Sequence, residues 1–465
     1  MRQCANSRRG VKKAMLFQTL PRSLGKLLIN REYAFLWGGQ AVSSLGDSTF
    51  DLTLVVWIAA TIARQANGQA ATWAPVAVSG VLIAVALPSL LFGPIAGVFV
   101  DRWEKKSVML WADCIRMFLV LLLVLVSGSS FFPWKPDRAV QLGAIYVTVF
   151  LASICSQFFS PARAALINDL VDKEQLGRAA GLAQVSQSIA LIMGPPLAAP
   201  VLFGFGVEWA LLFNAGTFLI SFLCVLAVQA PAFVRSGGKA EQQKFTREFL
   251  EGITFSINNT VLRVLLVTIV VVSLGAGAIN ALMVFFVSDN LHVNVTYVGL
   301  LDGFFGVGVI IGALLVSVLS SRLQETRMYT LAILGFGLLF LLLARTSNLL
   351  IALAILLFLG LAQATVNVTL VPIALKSVPR GMIGRVIGTI NSLSVLSSLI
   401  SVSLAGYLAS NLFKDIHGTV LGFAIGPIDT IFTLSALLFL LSGIYAFMYL
   451  RSSSVDKEAA SLQAK

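Results

Sequence analysis

Charged residues are scarce in this sequence. Asp, Glu, Lys and Arg make up 12% of its 465 residues, whereas hydrophobic residues make up 57%. Soluble domains carry roughly 25% charged residues, because their surfaces must be hydrated. The shortage of charge therefore excludes a water-soluble globule, and the mean hydropathy of +0.90 favours a membrane protein.

Cysteine and histidine are also scarce, and motifs for cofactor binding are missing from the sequence. The four cysteines, Cys4, Cys114, Cys155 and Cys224, form no metal-ligand spacing and are interpreted as small packing residues. No GxxxxGK[ST] phosphate loop occurs, so the chain is not predicted to hydrolyse ATP. We predict no metal, no other cofactor and no enzyme active site, because the sequence shows no cluster of His, Cys and acidic residues.

Long hydrophobic runs are what the sequence has in abundance. A bilayer core about 30 Å thick requires roughly 20 apolar residues per helix. Twelve runs of about this length or longer occur, near 33–63, 74–100, 107–127, 138–160, 176–203, 207–229, 261–288, 295–320, 328–345, 348–375, 382–411 and 421–450. They predict an all-α membrane protein with twelve transmembrane helices in two six-helix halves.

The positions of Lys and Arg predict the orientation of the chain. Connections between spans alternate between the two membrane faces, and 27 of the 33 Lys and Arg residues fall on the face that holds the N-terminus. Because basic loops stay in the cytoplasm, both termini are predicted to be cytoplasmic, in the inner (plasma) membrane. The net charge of +12 thus reflects topology, and no nucleic-acid partner is expected.

Five segments follow from this topology. They are a basic cytoplasmic tail at 1–32, a first six-helix bundle at 33–229, a cytoplasmic linker at 230–260, a second bundle at 261–450 and a cytoplasmic tail at 451–465. The linker contains EQQKFTREFLEGITF, where phenylalanines among charges predict an amphipathic helix at the membrane interface. A weak repeat superposes Gly177 on Gly384, at the starts of the fifth and eleventh spans, so the two halves are predicted to be related.

The first span carries two acidic residues one helical turn apart. Asp47 and Asp51 lie near its middle and form one helical stripe with Gln40 and Ser44. A charge inside a bilayer costs roughly 2.5–3.5 kcal/mol on insertion scales, so this stripe is expected to face an aqueous cavity. Two neighbouring carboxylates in a low dielectric suit proton uptake and release, which makes both residues candidates for proton coupling. The alternative for Asp47 is that it belongs, with Gly46, to a structural feature.

Three further sets of charged residues lie within later spans. Asp113 and Arg116 have the spacing of an intrahelical ion pair in the third span, either structural or linked to a gate. Asp302 in the eighth span and Asp429 in the twelfth lie nearer the outer ends of their runs. They are either secondary protonation sites or partly hydrated acids near an interface.

The loop after the second span carries the most specific motif. It reads GVFVDRWEKK and contains Gly97, Asp101, Arg102, Lys105 and Lys106. This spacing resembles the signature between helices 2 and 3 of the major facilitator superfamily, with Glu104 where that pattern usually has glycine. The stretches LWGGQAVSSLGDSTFDLTLVVW, SPARAALINDLV and EGITF resemble the drug-exporter branch that includes macrolide efflux proteins and the enterobactin exporter. This resemblance covers nearly the whole chain.

The resemblance implies a gate and a kinked helix. In the superfamily the acid of the signature contacts the cytoplasmic end of helix 11, so Asp101 is expected to meet Arg385 there. The predicted cytoplasmic gate consists of Gly97, Asp101, Arg102, Lys105 and Arg385. In the fifth span, Gly194 and Pro195 resemble the kink motif of antiporters, and helix packing alone is the alternative.

The resemblance also implies where a substrate binds. The first helix of each three-helix unit lines the cavity in superfamily members. Polar candidates for substrate contact on these helices are Tyr146, Gln157, Asn280, Gln363 and Asn367. Few polar anchors in an apolar cavity suit a lipophilic or amphiphilic ligand.

Together these features predict a secondary active transporter that exports a lipophilic or amphiphilic small molecule, as in drug efflux, by proton antiport and alternating access. Its expected partners are that substrate, protons and the lipid bilayer, with the monomer as functional unit. One alternative is an exporter or flippase of an endogenous amphiphile such as a siderophore or lysophospholipid. Others are uniport without proton coupling and a membrane receptor or scaffold that does not transport.

Overall fold

A computed structural model describes residues 29–64, 71–100, 102–128, 136–229, 245–319, 324–378, 382–416, 418–420 and 423–452. Within these residues, twelve helices are long and apolar enough to cross a membrane. The first half consists of α1 (Arg31–Trp57), α2 (Ala74–Val100), α3 (Lys105–Val126), α4 (Arg138–Leu170), α5 (Leu176–Phe205) and α6 (Val207–Ala227). A shorter helix, α7 (Phe245–Asn258), precedes the second half, which consists of α8 (Thr260–Asp289), α9 (Val298–Leu319), α10 (Glu325–Leu343), α11 (Leu349–Lys376), α12 (Ile383–Tyr407) and α13 (Pro427–Ser452). The predicted all-α fold with twelve spans is confirmed, and the cytoplasmic placement of the termini stays a prediction.

Several spans begin at an asparagine that caps the helix. The side chain of Asn30 accepts a hydrogen bond from the backbone N–H of Tyr33 at 2.7 Å at the start of α1. Asn259 caps α8 and Asn348 caps α11 in the same way. Such a cap satisfies one of the free N–H groups of the first turn. The local sequence thus sets where these apolar runs become helical.

Helix α4 extends to Leu170, although its apolar run predicts an end near residue 160. Pro161 lies inside the helix, where it removes one backbone donor without ending the helix, as membrane helices tolerate. The last turns are amphipathic, since Ala162 and Leu166 are buried and Asp169 is partly exposed. The SPARAALINDLV segment therefore belongs to α4 itself.

The two halves use the same packing scheme. In the first half, α1 packs against α5 and α6, α2 against α4, and α3 against α4 and α6. In the second half, α8 packs against α12 and α13, α9 against α11, and α10 against α11 and α13. Each pair of the first half has its counterpart six spans later, which is the arrangement of a parallel internal repeat.

Glycines bring α9 and α11 into backbone contact. A Cβ atom on Gly308 would meet the carbonyl of Leu357, and one on Gly360 would meet the carbonyl of Phe305. Small residues at such positions let membrane helices approach closely. Gly308 and Gly360 are thus explained by packing.

The halves meet along two seams, α5 with α9 and α2 with α12. In the first, a Cβ atom on Gly299 would meet the carbonyl of Pro195, and one on Gly306 would lie 3.4 Å from the Cβ of Ile192. In the second, a Cβ atom on Gly406 would lie 3.0 Å from the carbonyl oxygen of Pro75. We call the bundle face where α1 begins the basic face, and both seams lie toward the opposite face, where α2 and α9 begin.

Short irregular elements occur beyond the spans. Helix α1 is extended by a π-helical turn at Ile58–Ile62 and α12 by one at Leu408–Leu412. Two strands of three residues each, β1 (Gly418–Val420) and β2 (Phe423–Ile425), pair antiparallel before α13. They leave the all-α character of the fold unchanged.

Candidate functional site

The polar stripe of α1 faces the interior of the first half. The opposite side of this helix is buried against α5 and α6 by residues such as Thr49 and Thr53. Asp47, in contrast, has 44% of its side chain exposed, and Asp51 is exposed as well. At about 1.5 Å per residue the span Arg31–Ile62 is about 48 Å long, so Asp47, about 24 Å along it, lies at its middle and Asp51 one turn further. Two accessible acids at mid-membrane depth indicate a hydrated cavity.

Arg116 joins the acids of α1 to a buried group on α3. Its Nη2 donates to Oδ1 of Asp113 at 2.5 Å, and its Nη1 lies 4.0 Å from Oδ2 of Asp47. The Asp113 side chain is fully buried and that of Arg116 is 6% exposed. The structure therefore brings together two sets of charges that the sequence places on separate helices.

A hydrogen-bonded chain continues from Asp113 back to α1. Oγ of Ser221, on α6, donates to Oδ2 of Asp113 at 2.6 Å, and Nε2 of Gln40 donates to Oγ of Ser221 at 3.0 Å. The guanidinium of Arg116 lies 4.6 Å from the ring centroids of both Phe159 and Phe218, where cation–π attraction stabilises its charge. Contacts from three helices thus offset the free-energy cost of burying this ion pair.

Glycine in α1 permits this convergence. A Cβ atom on Gly46 would lie 2.8 Å from Oδ1 of Asn214 and would also collide with Thr217, so only glycine lets α1 approach α6 this closely. The neighbouring Asp47 is thereby held within reach of Arg116. A structural role for Gly46 in helix packing and a role for Asp47 in proton coupling are therefore compatible.

Helix α5 carries the predicted Gly194-Pro195 motif at the point where three helices meet. A Cβ atom on Gly194 would collide with Ser48 of α1, and Oγ1 of Thr49 donates to the carbonyl of Gly194 at 3.3 Å. On its other side the carbonyl of Pro195 contacts α9 at Gly299. The motif therefore packs α1 and α9 against α5, and its role in transport direction stays a prediction.

The predicted gate residues are found in contacts within each half. Lys105 donates to Oδ2 of Asp169 on α4 at 2.5 Å, and Arg385 donates to Oε2 of Glu251 on α7 at 2.6 Å. Arg102 is exposed, and Gly97 lies in the last turn of α2. Asp101 lies outside the described residues, and with it the expected contact to Arg385.

The predicted substrate contacts differ in their surroundings. Tyr146 donates its hydroxyl to the carbonyl of Ala77 at 3.0 Å, so it joins α4 to α2. Gln157 and Gln363 are half-buried, whereas Asn280 and Asn367 are exposed. Nε2 of Gln363 donates to Oδ1 of Asn367 at 3.1 Å on α11. These two amides form one polar patch in the second half.

The two outer acids also differ. Asp302 is half-buried on α9 and has no partner among the described residues. Asp429 is 6% exposed, and its Oδ2 accepts from the backbone N–H of Gly426 at 3.0 Å, which caps the first turn of α13. Asp302 and Asp429 both stay candidate protonation sites, and Oδ1 of Asp429 is buried with no hydrogen-bond partner among the described residues.

Two residues of the site escape prediction from the sequence. Ser221 lies in an apolar span and only its tertiary contact with Asp113 marks it. Arg163 lies beyond the apolar run that ends near residue 160, but α4 continues past it, and it lines a pocket with α1 and α5. Its position in the amphipathic PARAALINDL segment is the one signal for this. In the part of the chain that the structure describes, no group of three or more His, Cys, Asp or Glu residues is arranged to hold a metal ion.

Two related six-helix halves with acids on a cavity-facing helix define a transporter of the major facilitator type. The family described as transmembrane secretion effector matches residues 27–440, and the chain belongs to it. It is therefore a multi-pass protein of the cell membrane and a transporter rather than an enzyme.

Relatives of known name and structure agree with this class. Macrolide efflux protein A of Streptococcus pyogenes is 26% identical over 309 residues, which cover 65% of this chain and 70% of that protein. A bacterial homologue of the iron transporter ferroportin, in an inward-facing state, is 17% identical and superposes with a TM-score of 0.66 over 90% of this chain and 98% of the other. A nucleoside transporter superposes with a TM-score of 0.67 at 13% identity, over 90% of this chain and 98% of that one. The structural likeness establishes the fold alone.

Proposed function

We propose that this transporter exports a lipophilic or amphiphilic small molecule by proton antiport and alternating access. The observation that carries the proposal is the pair of accessible carboxylates on α1, one of which lies 4.0 Å from the shared cation Arg116. The names of the macrolide efflux relatives support export as the direction.

The coupling step follows from the charges around Arg116. While Asp47 is ionised, it attracts Arg116, screened in part by the water of the cavity, and competes with Asp113 for the guanidinium. Protonation of Asp47 removes that attraction and leaves Arg116 wholly to Asp113. The protonation state of α1 is thereby transmitted to α3 and, through Ser221, to α6.

The described arrangement supplies one end state of the cycle. The seams α5–α9 and α2–α12 close the halves toward the opposite face, while the side chains of the α1 stripe are accessible. We assign this arrangement to a cavity that opens to the basic face, where a cytoplasmic substrate enters. Opening the seams and forming contacts between the predicted gate residues would release the substrate on the other side.

The test is efflux of a cationic rhodamine methyl ester from proteoliposomes under an imposed pH gradient. Asp47→Asn is expected to abolish gradient-driven movement, because an amide cannot take up a proton, and to retain dye binding, because Asp51 keeps a carboxylate on α1. Asp415→Asn, an exposed acid near the opposite face, serves as the matched control and is expected to transport normally. Gradient-driven efflux that survives in Asp51→Asn and in Asp47→Asn alike contradicts proton coupling at this pair.

A further inference from the structure

A pocket that the coupling step does not use lies at the basic end of α1, α4 and α5. It is a small, partly open pocket with a cavity volume of about 30 Å³, and its lining includes Tyr33, Trp37, Ser44, Arg163, Ile167 and Gln187. Ser44 belongs to the polar stripe of α1, one turn before Asp47. The pocket therefore borders the polar stripe of α1.

Arg163 is the charged group of this pocket. It lies in α4 about 10 Å before the helix end, at 1.5 Å per residue, and is half-buried. Among the described residues no acidic side chain pairs with it. Arg163 lies in the amphipathic turns that end α4, near the membrane face, and it lines the pocket. It can therefore attract an anionic ligand, since no acid among the described residues neutralises it.

The remaining lining residues of the pocket are of two kinds, aromatic rings and polar side chains without a hydrogen bond. The hydroxyl of Tyr33 donates to the carbonyl of Ala179 at 2.8 Å, and the indole N–H of Trp37 donates to the carbonyl of Leu182 at 3.0 Å. Since these polar atoms are occupied, both rings present their apolar surfaces. Within the described residues, the side chains of Ser44 and Gln187 make no hydrogen bond and remain open to a ligand.

We propose that the Arg163 pocket binds the oxyanion of a zwitterionic amphiphile, a carboxylate or phosphate, while its amine reaches toward Asp47 and Asp51. The proposal rests on the proposed export function. A guanidinium fork pairs with two oxyanion oxygens at once, and Ser44 and Gln187 supply flanking donors. Asp47 and Asp51 lie about 5 and 10 Å further along α1 than Ser44, which suits a ligand with its two charges this far apart. The aromatic rings cover its apolar part.

The experiment compares binding of two dyes that differ by one methyl group. A free-acid rhodamine is zwitterionic, and its methyl ester is a cation without the carboxylate. Fluorescence titration of the purified protein in nanodiscs measures the Kd of each dye. Arg163→Gln is expected to weaken binding of the free acid about tenfold or more, as for a hydrogen-bonded charge pair, and to leave the ester unchanged. Arg163→Lys is expected to recover part of the affinity, and Arg327→Gln, an exposed arginine of α10, is the control.

Competition identifies the oxyanion. Lysophosphatidylethanolamine and an amino acid amphiphile of equal chain length are titrated against the free-acid dye, and displacement by either supports the assignment and names its source. Equal losses for acid and ester in Arg163→Gln, or no loss for either, overturn it. Because binding needs no pH gradient, this result is independent of proton coupling. If proton antiport fails, the difference in Kd between the free-acid dye and its ester can still be measured. If Arg163→Gln leaves that difference unchanged, antiport of cationic dyes is unaffected.

Discussion

At the scale of residues, the site depends on one cation shared by two acids. Arg116 contacts Asp113 at 2.5 Å and lies 4.0 Å from Asp47, so the buried pair and the accessible pair form one system. Removal of one partner from a buried pair leaves an uncompensated charge, whereas removal of both does not. This asymmetry gives the first test.

Arg116→Met is expected to lower the free energy of unfolding by about 3–5 kcal/mol, because Asp113 is then buried without a counterion. The double variant Asp113→Leu with Arg116→Met is expected to recover most of this loss. Thermal unfolding of the detergent-solubilised protein, followed by the fluorescence of a thiol-reactive dye, measures both. A double variant as unstable as the sum of the two single variants would show that Arg116 stabilises the fold through its ring contacts instead.

Sequence reasoning reaches part of this residue-level picture. Helical periodicity is enough to place Asp47 and Asp51 on one stripe and Asp113 beside Arg116, since these relations are local. The link from Arg116 to Asp47, and the role of Ser221, depend on how α1, α3 and α6 pack together. Tertiary distances of this kind leave no periodic signal in one sequence.

At the scale of elements, glycines set which helices touch. Gly308 lies against the carbonyl of Leu357, whereas nothing lies within 4 Å of a Cβ atom built on Gly335 of α10. The two glycines occupy comparable helical positions with opposite surroundings. They are therefore a matched pair for measuring helix packing.

Gly308→Ala is expected to cost about 1–3 kcal/mol, because the new methyl group forces α9 and α11 apart. Gly335→Ala is expected to be neutral or slightly stabilising, since alanine favours the helix and meets no neighbour. Thermal unfolding of both variants in the same detergent gives the comparison. Equal melting temperatures for the two variants would contradict the backbone contact between α9 and α11.

Apolar run length predicts the spans well and their ends less well. The predicted runs at 74–100 and 348–375 match α2 and α11 to within one residue, because each begins or ends at clear polar residues. Helix α4 shows the failure, since Pro161 and the charges after it suggest an end that the structure does not have. Amphipathic turns at a membrane face keep a helix going after hydropathy falls. For this reason the apolar run ends before Arg163, which the structure places inside α4.

At the scale of the whole molecule, the proposed alternating access requires the seam between α5 and α9 to open. An ideal Cβ on Gly306 lies 3.4 Å from the Cβ of Ile192, close to the 3.5–4.5 Å of a disulfide. The two residues belong to different halves. A covalent link between them is therefore expected to block the transport cycle.

Ile192→Cys with Gly306→Cys, in a background where the four native cysteines are alanine, is expected to form a disulfide on mild oxidation. Transport in proteoliposomes is expected to stop and to return with a reductant. Each single cysteine variant under the same oxidant is the control. Full transport by the cross-linked protein would contradict alternating access through this seam.

The central claim is that the carboxylates of α1 couple export to proton uptake. Coupling of this kind requires a cationic substrate and the proton to compete for these carboxylates. Adding the cationic rhodamine ester to detergent-solubilised protein in weakly buffered solution, with a pH indicator, measures this directly. We expect dye binding to release protons from the wild type, on the order of one per protein as for a single displaced site, and to release none from Asp47→Asn combined with Asp51→Asn. Bound dye without proton release by the wild type, or equal release by the double variant, would contradict the account.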